Sequence, residues 1–253
     1  DMVRYLRDLQ FTVEGRTITV PSWRDDVETM ADIAEEVGRS YGYNEIPTTA
    51  FKTSTQGGYS PIMEFENKTG VLCRGLGFSE IITYSFVSPS IFDQIRLPKD
   101  SPLRNALKIQ NPLGEDTSIM RTIALPSMLD ILSRNYAYHN KAVKLYELAK
   151  IYLPQEGQPL PREPKMLVLG SYGAHETFFR LKGEVEAIFT ALNLPKAEYE
   201  AEANHPAFHP GRCAKVSMGG KVLGYLGQIH PLVAKNYGID GETRQRHLFL
   251  ERN

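Results

Sequence analysis

Four β-rich runs in the second half of the chain limit the fold most. They lie at residues 142–153, 165–172, 213–218 and 222–229. The first two are joined by residues 154–164, which carry four prolines and cannot form a crossover helix. The last two are joined at Gly219-Gly220, a turn. A parallel pair needs a crossover of about a dozen residues or more, usually a helix. These connections instead turn the chain straight back. One long helix is expected between the pairs, over 176–194, where Phe179, Val185, Ile188, Phe189 and Leu192 recur at helical spacing. Lys182-Gly183-Glu184 puts a glycine inside it, and so predicts close packing there. A short helix over 231–237 and a last strand over 248–251 complete the run. The fold class is therefore α+β, an antiparallel sheet with helices on one face.

Upstream, residues 61–77 read as a helix, 81–87 as an alternating strand and 107–110 as another, followed by a turn at Asn111-Pro112-Leu113-Gly114. A short helix over 91–95 is expected after Ser88-Pro89. Residues 120–125 are expected to be extended, and Pro126 opens a helix with Met128, Leu129, Leu132 and Tyr136 on its apolar side. Pro, Gly, Ser and Thr crowd residues 48–60, which mark a linker. Before it, residues 1–47 form a separate small α/β unit. A short helix carries Val3, Leu6 and Leu9. A hairpin turns at Glu14-Gly15-Arg16, and a second helix covers 28–41. The parts are those of a partial winged-helix-like unit. The opening DMVRYLRDLQ reads as the middle of a helix, which predicts a piece of a longer chain.

The second helix has an unusual face. Met30, Ile33, Ala34 and Val37 make an apolar stripe. Asp32, Glu35 and Glu36 fall at i, i+3 and i+4 and are expected on the opposite face, with Asp26 capping the first turn. Gly42 suits the C-terminal cap and Pro47 stops a restart. Clustered carboxylates either are solvated or hold a hard cation such as Mg²⁺, which takes oxygen ligands. Spacing alone leaves both readings open.

Other chemistry is sparse. His205, His209 and Cys213 are zinc-type ligands, but Pro206 and Pro210 break the spacing and no fourth ligand is evident. Arg121-Thr122 reads either as part of a substrate-binding pair or as a buried arginine bonded to carbonyls. No nucleophilic triad or phosphate loop stands out. Net charge is -1 over 253 residues, so no global footprint for DNA, RNA or an anionic membrane is present. The two cysteines, Cys73 and Cys213, lie in no CxxC motif, which predicts buried free thiols and a reducing, cytoplasmic setting.

Six blocks, in this order and spacing, resemble the beta subunit of bacterial phenylalanyl-tRNA synthetase over essentially the whole chain. They are WRDD with DIAEEVGRSYGYNEIP, then GFSEIITYSF, then NPLG with MRT and LPSML, then KLYEL, HPGR, and GYLGQIHP. The resemblance implies that residues 1–47 are the C-terminal part of a B5 domain and 61–253 a class II synthetase-like core, an antiparallel sheet flanked by helices. It implies Mg²⁺ at the positions matching the family's ligands, Asp26, Asp32, Glu35 and Glu36, although Asp25 stands where the family often has an apolar residue. It implies a catalytic alpha subunit as partner in a two-plus-two heterotetramer, and tRNA(Phe) bound through the full complex. Catalytic residues are expected to be none. The position resembling the ATP-phosphate arginine of motif 2 is Leu145, and 248–251 with Arg252 shows no glycine-rich motif 3. The implied function is a non-catalytic structural and assembly module. Two other functions compete with it: an active adenylate-forming ligase on the same fold, and a tRNA-binding module.

Overall fold

The computed structural model describes residues 1–52, 56–239 and, as backbone, 248–251. The chain divides into two compact units, residues 1–58 and 59–253.

In the first unit, helix α1 (Met2–Asp8) leads into a hairpin of β1 (Thr12–Glu14) and β2 (Thr17–Thr19). Val13 pairs with Ile18, and Gly15 takes φ 59° at the turn, a conformation glycine adopts without steric cost. Helix α2 (Met30–Tyr41) follows, then a single 3-10 turn, Tyr43–Glu45. Leu6, Phe11, Val27 and Ile33 form the buried core, with Leu9, Val13, Ile18, Val20 and Val37 packed around it. This core is small, so polar contacts at its edge count for more than they would in a larger unit.

The second unit is built on a seven-stranded sheet. Helix α3 (Pro61–Gly75) starts with Pro61 at its first position, and the Ser60 hydroxyl accepts from the Met63 N–H. The two-residue strands β3 (Ser79–Glu80), β4 (Phe86–Val87) and β5 (Ile119–Met120) and the short helix α4 (Ile91–Gln94) lead to α5 (Leu125–Ala137). Then come β6 (Val143–Lys150), β7 (Lys165–Tyr172), α6 (Phe178–Ala191), β8 (Glu198–Ala201), β9 (Phe208–Met218), β10 (Lys221–Ile229), α7 (Pro231–Asn236) and β11 (Leu248–Glu251). The sheet order is β3-β6-β7-β11-β10-β9-β8. All neighbours are antiparallel except β3 and β6.

The α+β class and the antiparallel sheet agree with the sequence reading; the expectation of helices on one face does not. Side chains alternate across β6, so Leu145 and Ala149 join the core under α4, α5 and α7, while Tyr146 joins the core under α3 and α6. Both faces are therefore covered. α5 lies so close to β7 that a Cβ on Gly170 would sit 2.8 Å from the Met128 Cγ.

Other differences are local. The strand expected over 81–87 exists only as β3 and β4 at its margins, because Thr83 turns inward to bond Glu147. The expected strand over 107–110 is one bridge, Lys108 to Ile119. β9 starts at Phe208 and so runs through the proline-rich bend, and β8 had no sequence signal of its own. Phe179 lies outside the buried stripe of α6 and is exposed, while Leu181 is buried. Gly183 faces open space rather than a neighbour, so the close packing expected there is absent.

Candidate functional site

α2 places the four predicted carboxylates in four different settings. Its start is fixed by Thr29 and Asp32, not by Asp26. The Asp32 Oδ2 accepts the Thr29 N–H at 2.7 Å, the Glu28 N–H at 3.0 Å and the Thr29 hydroxyl at 2.8 Å, the reach-back half of a capping box. These bonds, the Thr29 backbone first, hold the Asp32 carboxyl below its ordinary value. Glu36 does not share an outer face with Glu35. It lies three residues after Ile33, so it turns inward with it, and only 7% of it is exposed. Met30, by contrast, points outward. Glu35 is exposed.

Arg24 organises the cluster. Its Nε and Nη2 grip both Asp26 oxygens at 2.8 and 2.7 Å, and the Nη2 also donates to the Glu36 Oε1 at 2.7 Å. Arg39 Nη2 holds the other Glu36 oxygen at 2.5 Å. The Asp26 carboxyl is lowered chiefly by Arg24, and Glu36 by Arg24 and then Arg39. Arg24 itself is raised by Asp26 and then Glu36. Mg²⁺ needs several oxygens converging at about 2.0–2.1 Å in near-octahedral array. Here both oxygens of Asp26 and of Glu36 face guanidinium N–H groups, and one Asp32 oxygen serves the helix start. Among the described residues, no group of three or more His, Cys, Asp or Glu is placed to hold a metal ion. The four carboxylates, as arranged, do not fit Mg²⁺.

The second polar cluster lies inside the core of the second unit. Arg121 donates from Nη2 to the Glu147 Oε1 at 3.0 Å, from Nη1 to the Thr83 hydroxyl oxygen at 2.6 Å and from Nε to the Lys150 carbonyl at 2.9 Å. Glu147 also accepts the Thr83 N–H at 3.2 Å. The Arg121 and Glu147 side chains are only 3% and 5% exposed. Arg121 is thus a buried arginine bonded to a carbonyl and, in addition, to a carboxylate. Two residues before Glu147 on the same face of β6, Leu145 is 7% exposed and packed in the apolar core. No cation stands at that position, and the neighbouring charge is already paired.

A family profile for the phenylalanyl tRNA synthetase beta chain CLM domain matches residues 46–245, and one for the tRNA synthetase B5 domain matches residues 1–43. The chain belongs to the phenylalanyl-tRNA synthetase beta chain family. It is 47% identical to the phenylalanine–tRNA ligase beta subunit of Clostridium tetani over 99% of its length, and 43% identical to that of Clostridium acetobutylicum over 95%. It spans about a third of those relatives, 32% and 31%. Pyrrolysyl-tRNA synthetase from Desulfitobacterium hafniense, a class II synthetase, has a TM-score of 0.62 at 16% identity, covering 99% of this chain and 85% of that one. That likeness concerns the fold alone.

Within this beta-chain core the zinc-type residues do not converge. His205 Nδ1 accepts the Ala207 N–H, and His209 Nδ1 accepts the Gly211 N–H, so each ring caps its own local turn. His205 lies against Phe208 and Tyr225, and burial pushes it down to about 4. Cys73 and Cys213 are buried and unbridged, and burial pushes both thiols up to about 12. Arg252, weighed for motif 3, lies outside the described residues. Sequence reasoning missed the roles of Arg24 and of Thr83 with Glu147. The first had a signal, since an arginine two residues before Asp26 can fold back on it in one turn. The second had none, since the pair spans 64 residues.

Proposed function

We propose that this chain is the assembly-forming, non-catalytic part of a phenylalanine–tRNA ligase beta subunit, pairing with a catalytic alpha subunit in a two-plus-two cytoplasmic heterotetramer that aminoacylates tRNA(Phe). Family membership supports the subunit. The observation that carries the non-catalytic reading is at Leu145 and Glu147. Adenylate transfer needs a cation on the ATP phosphate, held in bidentate fashion. The position resembling that arginine's is an apolar core residue, and the carboxylate beside it is locked by Arg121 and Thr83. A cleft does open beside Leu145, but two of its cations are engaged: Lys144 pairs with Glu184, and Arg180 with Glu184 and Glu176. The helix–hairpin–helix of the first unit supports its winged-helix-like, B5 assignment. Among the described residues no helix is long and apolar enough to cross a membrane. Mg²⁺ at Asp26, Asp32, Glu35 and Glu36 remains what the resemblance implies; in the arrangement seen, it would require Arg24 to leave two of them.

Co-expression with a candidate alpha subunit tests the proposal. A complex that elutes as a heterotetramer is the expected result. An alpha subunit that never co-purifies with the beta chain contradicts it.

A further inference from the structure

We infer that Arg24 is the resident cation of the α2 carboxylate cluster, so that the first unit keeps its fold without a divalent ion. Residues 24–39 hold six carboxylates and two arginines. A charge density of that sign calls for a counter-ion, either bound or built in. Here it is built in. Arg24 sits before the helix, and its guanidinium bridges Asp26 in the entry segment to Glu36 in the second turn of α2. It does so with a bidentate pair and a third charge-assisted bond, the geometry in which a planar fork outperforms a point charge. Glu36 is the mostly buried member, and it has a second guanidinium on its other oxygen. A buried carboxylate with both oxygens occupied has no need of metal. Asp32 is engaged separately at the helix start. The three carboxylates left over, Asp25, Glu28 and Glu35, are exposed, and among the described residues no three acids are grouped to hold a metal ion.

The role of the cluster is therefore structural: it ties the WRDD segment to α2 across the edge of a small core. A divalent ion could take Asp26 and Glu36 only by displacing Arg24 from three hydrogen bonds.

Trp23 is the one tryptophan of the chain and adjoins Arg24, so its fluorescence reads this unit separately from the second. Thermal unfolding of the whole chain would be followed by Trp23 emission in EDTA and in ~10 mM Mg²⁺ at matched ionic strength. Metal that binds only the folded state raises the midpoint with concentration. The expected result is a wild-type midpoint that stays within about 1 °C, and an Arg24→Met midpoint lower by about 4 °C or more. If Arg24→Met shows no folded baseline, Arg24→Lys, which keeps the charge but loses the fork, should fall between it and wild type. A wild-type midpoint that climbs and saturates with Mg²⁺ would overturn the inference. So would an Arg24→Met chain as stable as wild type, or an Arg24→Lys chain equal to wild type. The alpha-subunit co-purification does not depend on any of these results.

Discussion

Arg24 in the first unit and Arg121 in the second each pair with a glutamate on a regular element, yet their surroundings give the two pairs different work. Arg24 lies at the margin of a four-residue core, reaches Asp26 in a solvent-exposed loop, and holds an entry segment against a helix. Arg121 lies inside a large core, with its side chain and that of Glu147 nearly sealed from water. At the surface, the attraction is weakened by water and salt, and its use is positional. In the interior, desolvation of both ions offsets most of their attraction, so the intact pair adds little, while a broken pair is costly. The same chemistry is thus a clasp in one place and a fixed filling of a pocket in the other.

Breaking the interior pair should have the largest effect. Arg121→Met leaves Glu147 buried without its cation and should cost about 3–5 kcal/mol in urea unfolding of the second unit. Adding Glu147→Leu should recover most of that. If the single variant is nearly neutral, the pair is not sealed as described. Acid should separate the units next. His205 is neutral in the fold, with a value of about 4 against 6.5 unperturbed, so it adds nothing at neutral pH. As pH falls below 6.5 the unfolded chain takes up a proton that the fold refuses. The second unit should lose on the order of 2 kcal/mol between about pH 7 and pH 5, and His205→Gln should flatten that slope. The first unit behaves the other way round. Asp26, Asp32 and Glu36 are held below ordinary values of 3.8, 3.8 and 4.5, so their stabilisation is complete above those values and fails only as pH drops beneath them. Trp23 emission should therefore hold steady at pH 5 while the far-UV signal of the second unit has already weakened.

Packing gives a comparable figure. Gly170→Ala drives a methyl into Met128 and Leu132 and should destabilise the second unit by about 1–3 kcal/mol, leaving the Trp23 transition unmoved. Asp32→Ala removes the bonds that start α2 and should lower the Trp23 midpoint by a few degrees. The smallest effect is that of salt. Raising NaCl to about 1 M shortens the screening length to about 3 Å, which should lower the Trp23 midpoint slightly and not alter the Arg121→Met penalty.

The larger architecture was legible because β6, β7, β9 and β10 announce themselves by β-rich runs, paired by short connections, which leave an antiparallel sheet as the simplest closure. What failed was two-residue structure. β3, β4 and β5 depend on tertiary partners, and Thr83 abandons strand geometry for a bond to a residue far along the chain. The covering of both sheet faces was also hidden, since an apolar stripe on α3 or α6 shows that the helix packs on something but not which face of the sheet it packs on. In the first unit the positions of α2 and its end were readable from periodicity and Gly42, but the roles of its carboxylates were not. Spacing grouped Glu36 with Glu35, when its separation of three residues from Ile33 already placed it on the inner face. The spacing of the acids alone carries no sign that a neighbouring arginine, Arg24, already supplies their cation.

The measurement that bears most directly on the non-catalytic reading is a calorimetric titration of ATP into the chain. Leu145 in the core and the Arg121–Glu147–Thr83 lock predict no saturable heat up to millimolar ATP, and none gained on adding phenylalanine. Saturable binding in the micromolar range would contradict that account, for the cations of β6 and β7, Lys144, Lys150 and Lys165, are each paired with a carboxylate.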